Sequence, residues 1–140
     1  MSKKISVALA QVTQRKFTDD LTEYAQEIEK ILSPSSGIQM VVHPELHLFG
    51  SDMSADALQD IAQSLDSKFV GELGEIAKRF GIWLIPGSIV EPAPNNGVYN
   101  TALAFNPAGE LVSFYRKIFP WRPSEPFTMG SEFSVFELPG

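Results

Sequence analysis

Apolar side chains recur at every second residue in KISVALAQV, residues 4–12, and at every third or fourth in TDDLTEYAQEIEKIL, residues 18–32. IQMVV (38–42) reads as a short buried strand, the spacing becomes helical again at Phe69, Val70, Leu73, Ile76, Ala77 and Phe80, and IWLIPGSIVE (82–91) reads as a third strand. This alternation restricts the chain to βαβ units, because parallel strands need a crossover and a helix with one apolar stripe supplies it. Beyond residue 91 the pattern is strand only. VYNTALAF (98–105) and ELVSFYRKI (110–118) flank NPAG, a good hairpin loop, and FSVFEL (133–138) reads as one more strand. The order β-α-β-α-β-β-β-loop-β predicts an α/β protein with a mixed sheet, and residues 1–140 form part of one domain.

Local signals place the ends. Ile5, Val7 and Leu9 share one side of the first strand; the small Ser6, Ala8 and Ala10 share the other, where an element can pack closely. Thr18 is placed to cap the first helix, with Asp19 and Asp20 in its first turn, and SPSSG ends it. Gly81 is placed as the C-terminal cap of the second helix. Gly71 and Gly74 inside that helix cost up to ~1 kcal/mol each unless they allow close packing on a sheet. Pro86–Gly87 breaks or kinks the third strand.

Composition removes several functions. A formal net charge of −6 and a pI near 4.8 argue against a nucleic-acid partner, which needs a basic stripe. No apolar run reaches the ~18 residues of a membrane span. MSKKISVALAQV begins like a signal peptide, but its apolar run is short and meets Gln11, so it reads as the first strand of a cytoplasmic protein. Neither GxGxxG after a strand nor GxxxxGK[ST] occurs. His43 and His47 flank Glu45 in HPELH, which is not the zinc motif HExxH, so no metal and no cofactor are expected. Asp19, Asp20, Glu23, Glu27 and Glu29 read as a solvated helix face, and Trp83 and Trp121 as core or pocket wall. There is no cysteine, which excludes disulfides, thiolate metal sites and a cysteine nucleophile within these residues.

In such sheets chemistry collects at the C-terminal ends of strands. Glu45 lies there, on a turn stiffened by Pro44. Leu46, Leu48 and Phe49 would desolvate it, favouring the protonated carboxyl and suiting a general base or acid; a solvated loop acid is the plainer reading. Lys117 ends the YRK run beside Ile118, Phe119, Pro120 and Trp121. It reads either as a buried functional ammonium, which must be paired, or as a lysine snorkelling at a strand end. Glu125 is its counter-ion or a loop acid. Arg122 is a contact for a substrate carboxylate or a rim charge.

HPELHLFG, YNTALAF and YRKIFPWRPSEPF occur in an order that resembles the N-terminal half of the nitrilase, or carbon–nitrogen hydrolase, superfamily, closest to its amidase-like branches. The resemblance covers essentially all 140 residues. It implies a nitrilase-like αββα sandwich, incomplete in this chain, and a Glu-Lys-Cys triad. In it Glu45 resembles the general base, Lys117 the lysine that stabilises an oxyanion, and Glu125 a supporting second glutamate. The family's cysteine follows the next strand, so the resemblance identifies these residues as the N-terminal portion of a longer enzyme. It also implies a small amide, N-carbamoyl or nitrile substrate, and a homo-oligomer, because this portion leaves the apolar faces of residues 98–105 and 110–118 uncovered. The alternative is a non-catalytic binding or assembly module of the same fold.

Overall fold

The computed structural model describes residues 4–35, 37–50 and 53–138. The elements are β1 (Val7–Leu9), α1 (Thr22–Leu32), β2 (Met40–Val42), α2 (Ala55–Asp60), α3 (Lys68–Phe80), β3 (Trp83–Ile85), β4 (Ser88–Ala93), β5 (Gly97–Phe105) and β6 (Leu111–Arg116). The strands make one six-stranded sheet in the order β1-β2-β3-β5-β4, with β6 also on β5. β1, β2 and β3 are parallel, in the register Val7↔Met40↔Trp83; β5 runs antiparallel to β3, β4 and β6. The mixed sheet expected from the period changes is therefore present. Of the four layers of the sandwich, the described residues supply one sheet and one helical layer.

The helical layer explains the core. Tyr24, Ala25 and Ile28 of α1 and Phe69, Val70, Leu73, Ile76 and Ala77 of α3 are buried. They share a cluster with Val41, Leu84, Leu103 and Phe105 of the sheet. Each Val, Leu, Ile or Phe among them, fully buried, contributes ~1.5–3 kcal/mol. The opposite side of β1 is bare: Val7 and Leu9 are exposed, while Ala8 packs on the core.

Several ends differ from expectation. α1 begins at Thr22 rather than after Thr18. The Thr18 hydroxyl accepts from the Asp20 N–H (3.2 Å) and the Asp20 carboxylate from the Thr22 N–H (2.8 Å). These side chains build local turns ahead of the helix instead of capping it. Leu21, at the cap, makes no side-chain bond. Gly81 does close α3, at φ 63° with its N–H on the last carbonyls. The third strand is divided at Pro86–Gly87 into β3 and β4. Residues 133–138 join no ladder. They lie extended over the sheet, with Phe136 stacked on Trp83 at 5.9 Å and the Ser134 hydroxyl against that of Ser113.

The two helix glycines separate in role. A Cβ on Gly74 would meet the Gly109 carbonyl oxygen at 2.4 Å, whereas one on Gly71 meets nothing within 4 Å. Gly74 thus lets α3 rest on the β5–β6 turn. Gly74→Ala is expected to cost ~1–3 kcal/mol by overpacking, and Gly71→Ala to gain ~0.4–1 kcal/mol. Urea unfolding midpoints moving in opposite directions check both.

Candidate active site

The chain leaves β2 at Val42 and turns at once. His43 N–H donates to the Ile85 carbonyl (2.8 Å), His47 N–H to Pro44 (3.2 Å) and Phe49 N–H to Leu46 (3.0 Å). Leu46 takes φ 52°, a left-handed conformation costly for a leucine, and its N–H is held by the buried Ser88 hydroxyl at 3.0 Å. The β3–β4 kink presses on this turn: a Cβ on Gly87, at φ 93°, would lie 2.1 Å from the Pro44 oxygen. The turn therefore stands on a backbone approach that only glycine permits. Leu46, Leu48 and Phe49 point into the core, so they do not cover Glu45, whose side chain is 53% exposed. A tight turn sends neighbouring side chains in different directions.

Lys117 follows the last residue of β6, its N–H on the Asn100 carbonyl (2.9 Å). Its side chain is 26% exposed. Lys117 Nζ lies 3.0 Å from Glu45 Oε1 and 2.9 Å from Glu125 Oε2, so residues 72 apart in the chain meet across the sheet edge. Asn100 Nδ2 donates to the same Glu45 oxygen at 2.6 Å. Glu125 also accepts the Trp121 N–H at 2.7 Å, folding the proline-rich loop over the lysine. Arg122 donates to the Glu125 and Phe127 carbonyls (3.1 and 2.7 Å), so it braces that loop. Phe127 anchors it in the core, while Trp121 is exposed rather than a wall. A cavity of about 390 Å³ opens beside the cluster, lined among others by Glu45, Lys117, Asn100, Ile85, Tyr115 and Phe119.

The charges support one another. Burial works to lower the Lys117 pKa, but hydrogen bonds and charge from Glu125 and Glu45 outweigh it and raise the ammonium above its ordinary value. Burial likewise opposes ionisation of Glu125, and the Trp121 N–H and Lys117 outweigh it, holding the carboxyl below its ordinary value. Arg116, the other cation of the YRK run, pairs with buried Glu91, Nε to Oε2 2.8 Å, under the Tyr99 ring at 4.6 Å. Strand alternation thus sends two adjacent cations to different partners.

Behind Glu45 lies a second polar cluster. Glu27 Oε1 accepts from His43 Nε2 (3.1 Å) and His47 Nε2 (2.8 Å), and Oε2 from Arg15 Nε and Nη2 (3.1 and 2.8 Å). Glu27 was expected on a solvated face, but it flanks the apolar stripe at Tyr24 and Ile28 and turns inward. Ligand-type atoms of Glu27, His43 and His47 lie within 4.8 Å of one another, and Arg15 satisfies the carboxylate from its far side. Burial, with the neighbouring His47, lowers the His43 pKa to about 4. A neutral His43 in the folded chain and a histidine near 6.5 when unfolded fix the sign: the stabilisation is complete above pH 6.5 and is lost as pH falls towards about 4. Urea unfolding between pH 7.5 and 4 is expected to show a fall of about 2–3 kcal/mol, largely removed in His43→Gln.

Asn100, Ser88 and Glu27 escaped sequence reasoning. Asn100 alone had a signal, as a polar residue in the otherwise apolar VYNTALAF.

A family model described as Carbon-nitrogen hydrolase matches residues 6–140. Formamidase from Helicobacter acinonychis (strain Sheeba) is 34% identical over 102 residues, covering 69% of this chain and 29% of its own length. Omega-amidase NIT2 from Danio rerio is 31% identical over 147 residues, covering 97% of this chain and 51% of its own length. Among solved structures, Saccharomyces cerevisiae Nit3, a member of branch 10 of the nitrilase superfamily, superposes with a TM-score of 0.74 at 27% identity, over 91% of this chain and 49% of that one. The chain spans between 29% and 51% of the length of the two curated relatives. With the family model matched from the first strand to the last residue, the chain belongs to the carbon–nitrogen hydrolase family.

Proposed function

We propose that these residues carry the base and the lysine of an enzyme that hydrolyses a linear amide, an N-carbamoyl compound or a nitrile, through a thiol lying outside the 140 residues. The observation that carries this reading is Lys117 Nζ held between Glu45 and Glu125 at the mouth of a partly apolar cavity. Glu45 Oε1 is occupied by Lys117 and Asn100. Oε2 is therefore the oxygen left to take a proton from the thiol and return it to the leaving amine. The Lys117 ammonium would lie beside the oxyanion of the tetrahedral intermediate, and Glu125 would keep that cation compensated and aimed. The names formamidase and omega-amidase among the relatives support an amide over a nitrile.

A second reading, a non-catalytic binding or assembly module, is favoured by the absence of cysteine from the sequence. Reading the source message past the codon for Gly140 separates the two. A thiol after the next strand, in a product that hydrolyses formamide and loses this activity in Glu45→Gln, supports the enzyme. No thiol leaves the module. The 140-residue polypeptide is expected to show neither turnover nor an acyl adduct by intact mass. Turnover by it that Glu45→Gln abolishes would sink the thiol mechanism and require another nucleophile.

A further inference from the structure

We propose that Glu27 is a positioning residue: from α1 it clamps both sides of the Glu45 turn through His43 and His47, and so sets the contact of Glu45 with Lys117. This rests on the reading of Glu45 as the base. The two histidines bracket Pro44 and Glu45 in sequence, and both Nε2 atoms converge on a single Glu27 oxygen, at 3.1 and 2.8 Å. Their rings stack at 4.8 Å with 20° between planes. A carboxylate only accepts, so each Nε2 carries the proton. His43 Nδ1 is then an acceptor, and it faces the Tyr24 hydroxyl at 3.2 Å. The tautomer and ring plane of His43 are thereby set from both ends.

The clamp is itself braced. Arg15 forks onto the other Glu27 oxygen, reaches Glu23 at 3.0 Å, and exchanges backbone bonds with the turn: its N–H donates to the His47 carbonyl and its carbonyl accepts from Gly50 N–H, both at 2.7 Å. Gln14 Nε2 donates to the Leu46 carbonyl at 3.0 Å.

Packing alone does not call for this arrangement. The His47 side chain is fully buried, and its Nδ1 has no partner among the described residues; an apolar side chain there would avoid that loss. Leu46 is held left-handed beside it. Strain and an unpaired polar atom flank the one turn that presents Glu45, where structures keep such costs for function. Glu45, half exposed, is bonded through one oxygen to Asn100 and Lys117, and its reach to them depends on where the turn places its backbone.

The test reads Lys117, which touches none of the clamp residues. With lysine 13Cε label in the 140-residue chain, and the resonance assigned through Lys117→Arg, the Lys117 titration is followed in wild type, Glu27→Gln and a core control, Ile28→Val. If Glu27 sets the contact, the Lys117 midpoint falls in Glu27→Gln and stays in place in the control. A folded Glu27→Gln with an unmoved midpoint, or an equal fall in Ile28→Val, overturns the proposal. Amide exchange of the wild-type chain decides the matter if the variant does not fold. The N–H groups of Leu46, His47 and Phe49 should then exchange within about tenfold of Ile28 N–H, because turn and helix open as one unit. Exchange of the turn more than ~100-fold faster overturns it. Neither readout needs catalysis, so failure of the hydrolase reading and failure of the clamp remain distinguishable.

Discussion

Lys117→Ala, made in a polypeptide that carries these residues together with a thiol, is expected to lower kcat for an amide by ~10²–10³-fold, as loss of an oxyanion donor does elsewhere. The same change is expected to cost ~1–2 kcal/mol of stability, because the cluster is only partly buried and both carboxylates keep a second hydrogen bond, from Asn100 and from the Trp121 N–H. On the proposed mechanism the two effects divide, because only the transition state carries an oxyanion beside Nζ. In the ground state Lys117 bridges Glu45 and Glu125, and each carboxylate keeps a second bond without it, from Asn100 Nδ2 and from the Trp121 N–H. Steady-state kinetics alongside urea unfolding measures both quantities. A loss of activity matched by an equal loss of folding would reduce Lys117 to a structural cation, and an active Lys117→Ala enzyme would remove it from the mechanism.

The 140-residue chain on its own is expected to self-associate at micromolar concentration. Leu9 is 77% exposed, Phe133 82% and Val135 92%, and Val7, Val112 and Phe114 are exposed with them. Of the two faces the sequence suggested, that of residues 110–118 is bare at Val112 and Phe114, while that of residues 98–105 is covered. β5 is almost wholly buried, and the bare surface belongs to β1, β6 and the extended segment after Gly130. Apolar patches above a few hundred Å² and open strand edges drive association. Light scattering should report a dimer or larger, and Leu9→Lys with Val135→Lys should move it towards the monomer. A compact wild-type monomer melting cooperatively would mean that these residues close their own core, and would favour the binding module over the enzyme.

The parts legible in the sequence were those with a local cause. The alternation of periods predicted the parallel β1-β2-β3 core and the β5–β6 hairpin, and Gly81 marked the end of α3, because each signal lies within one element. Residues 133–138 show where that logic stops. Their alternation is real, but it comes from a segment lying on the sheet with Phe136 inward and Phe133 and Val135 outward, and periodicity cannot tell a paired strand from an unpaired one. α2, at six residues, is too short for a helical period to register. That Glu45 and Lys117 meet was legible because each follows a strand. Glu27, Ser88 and Asn100 were not, since what matters about them is which residue from another element they touch.

The separation of Glu45 from Lys117 along the chain has a kinetic consequence. Lys117 ends a hairpin closed by a short loop, a unit that forms in ~1–10 µs. Glu45 belongs to parallel strands that pair Val7 with Met40 and Met40 with Trp83, and such distant pairings are slow. Lys117 and Glu125, eight residues apart, are therefore expected to meet before Glu45 arrives, and the Glu45–Lys117 contact to close as Leu84 meets Phe105 and hairpin and parallel core join. A refolding chain would report that contact among its last events, so a probe at Lys117 times the completion of the fold.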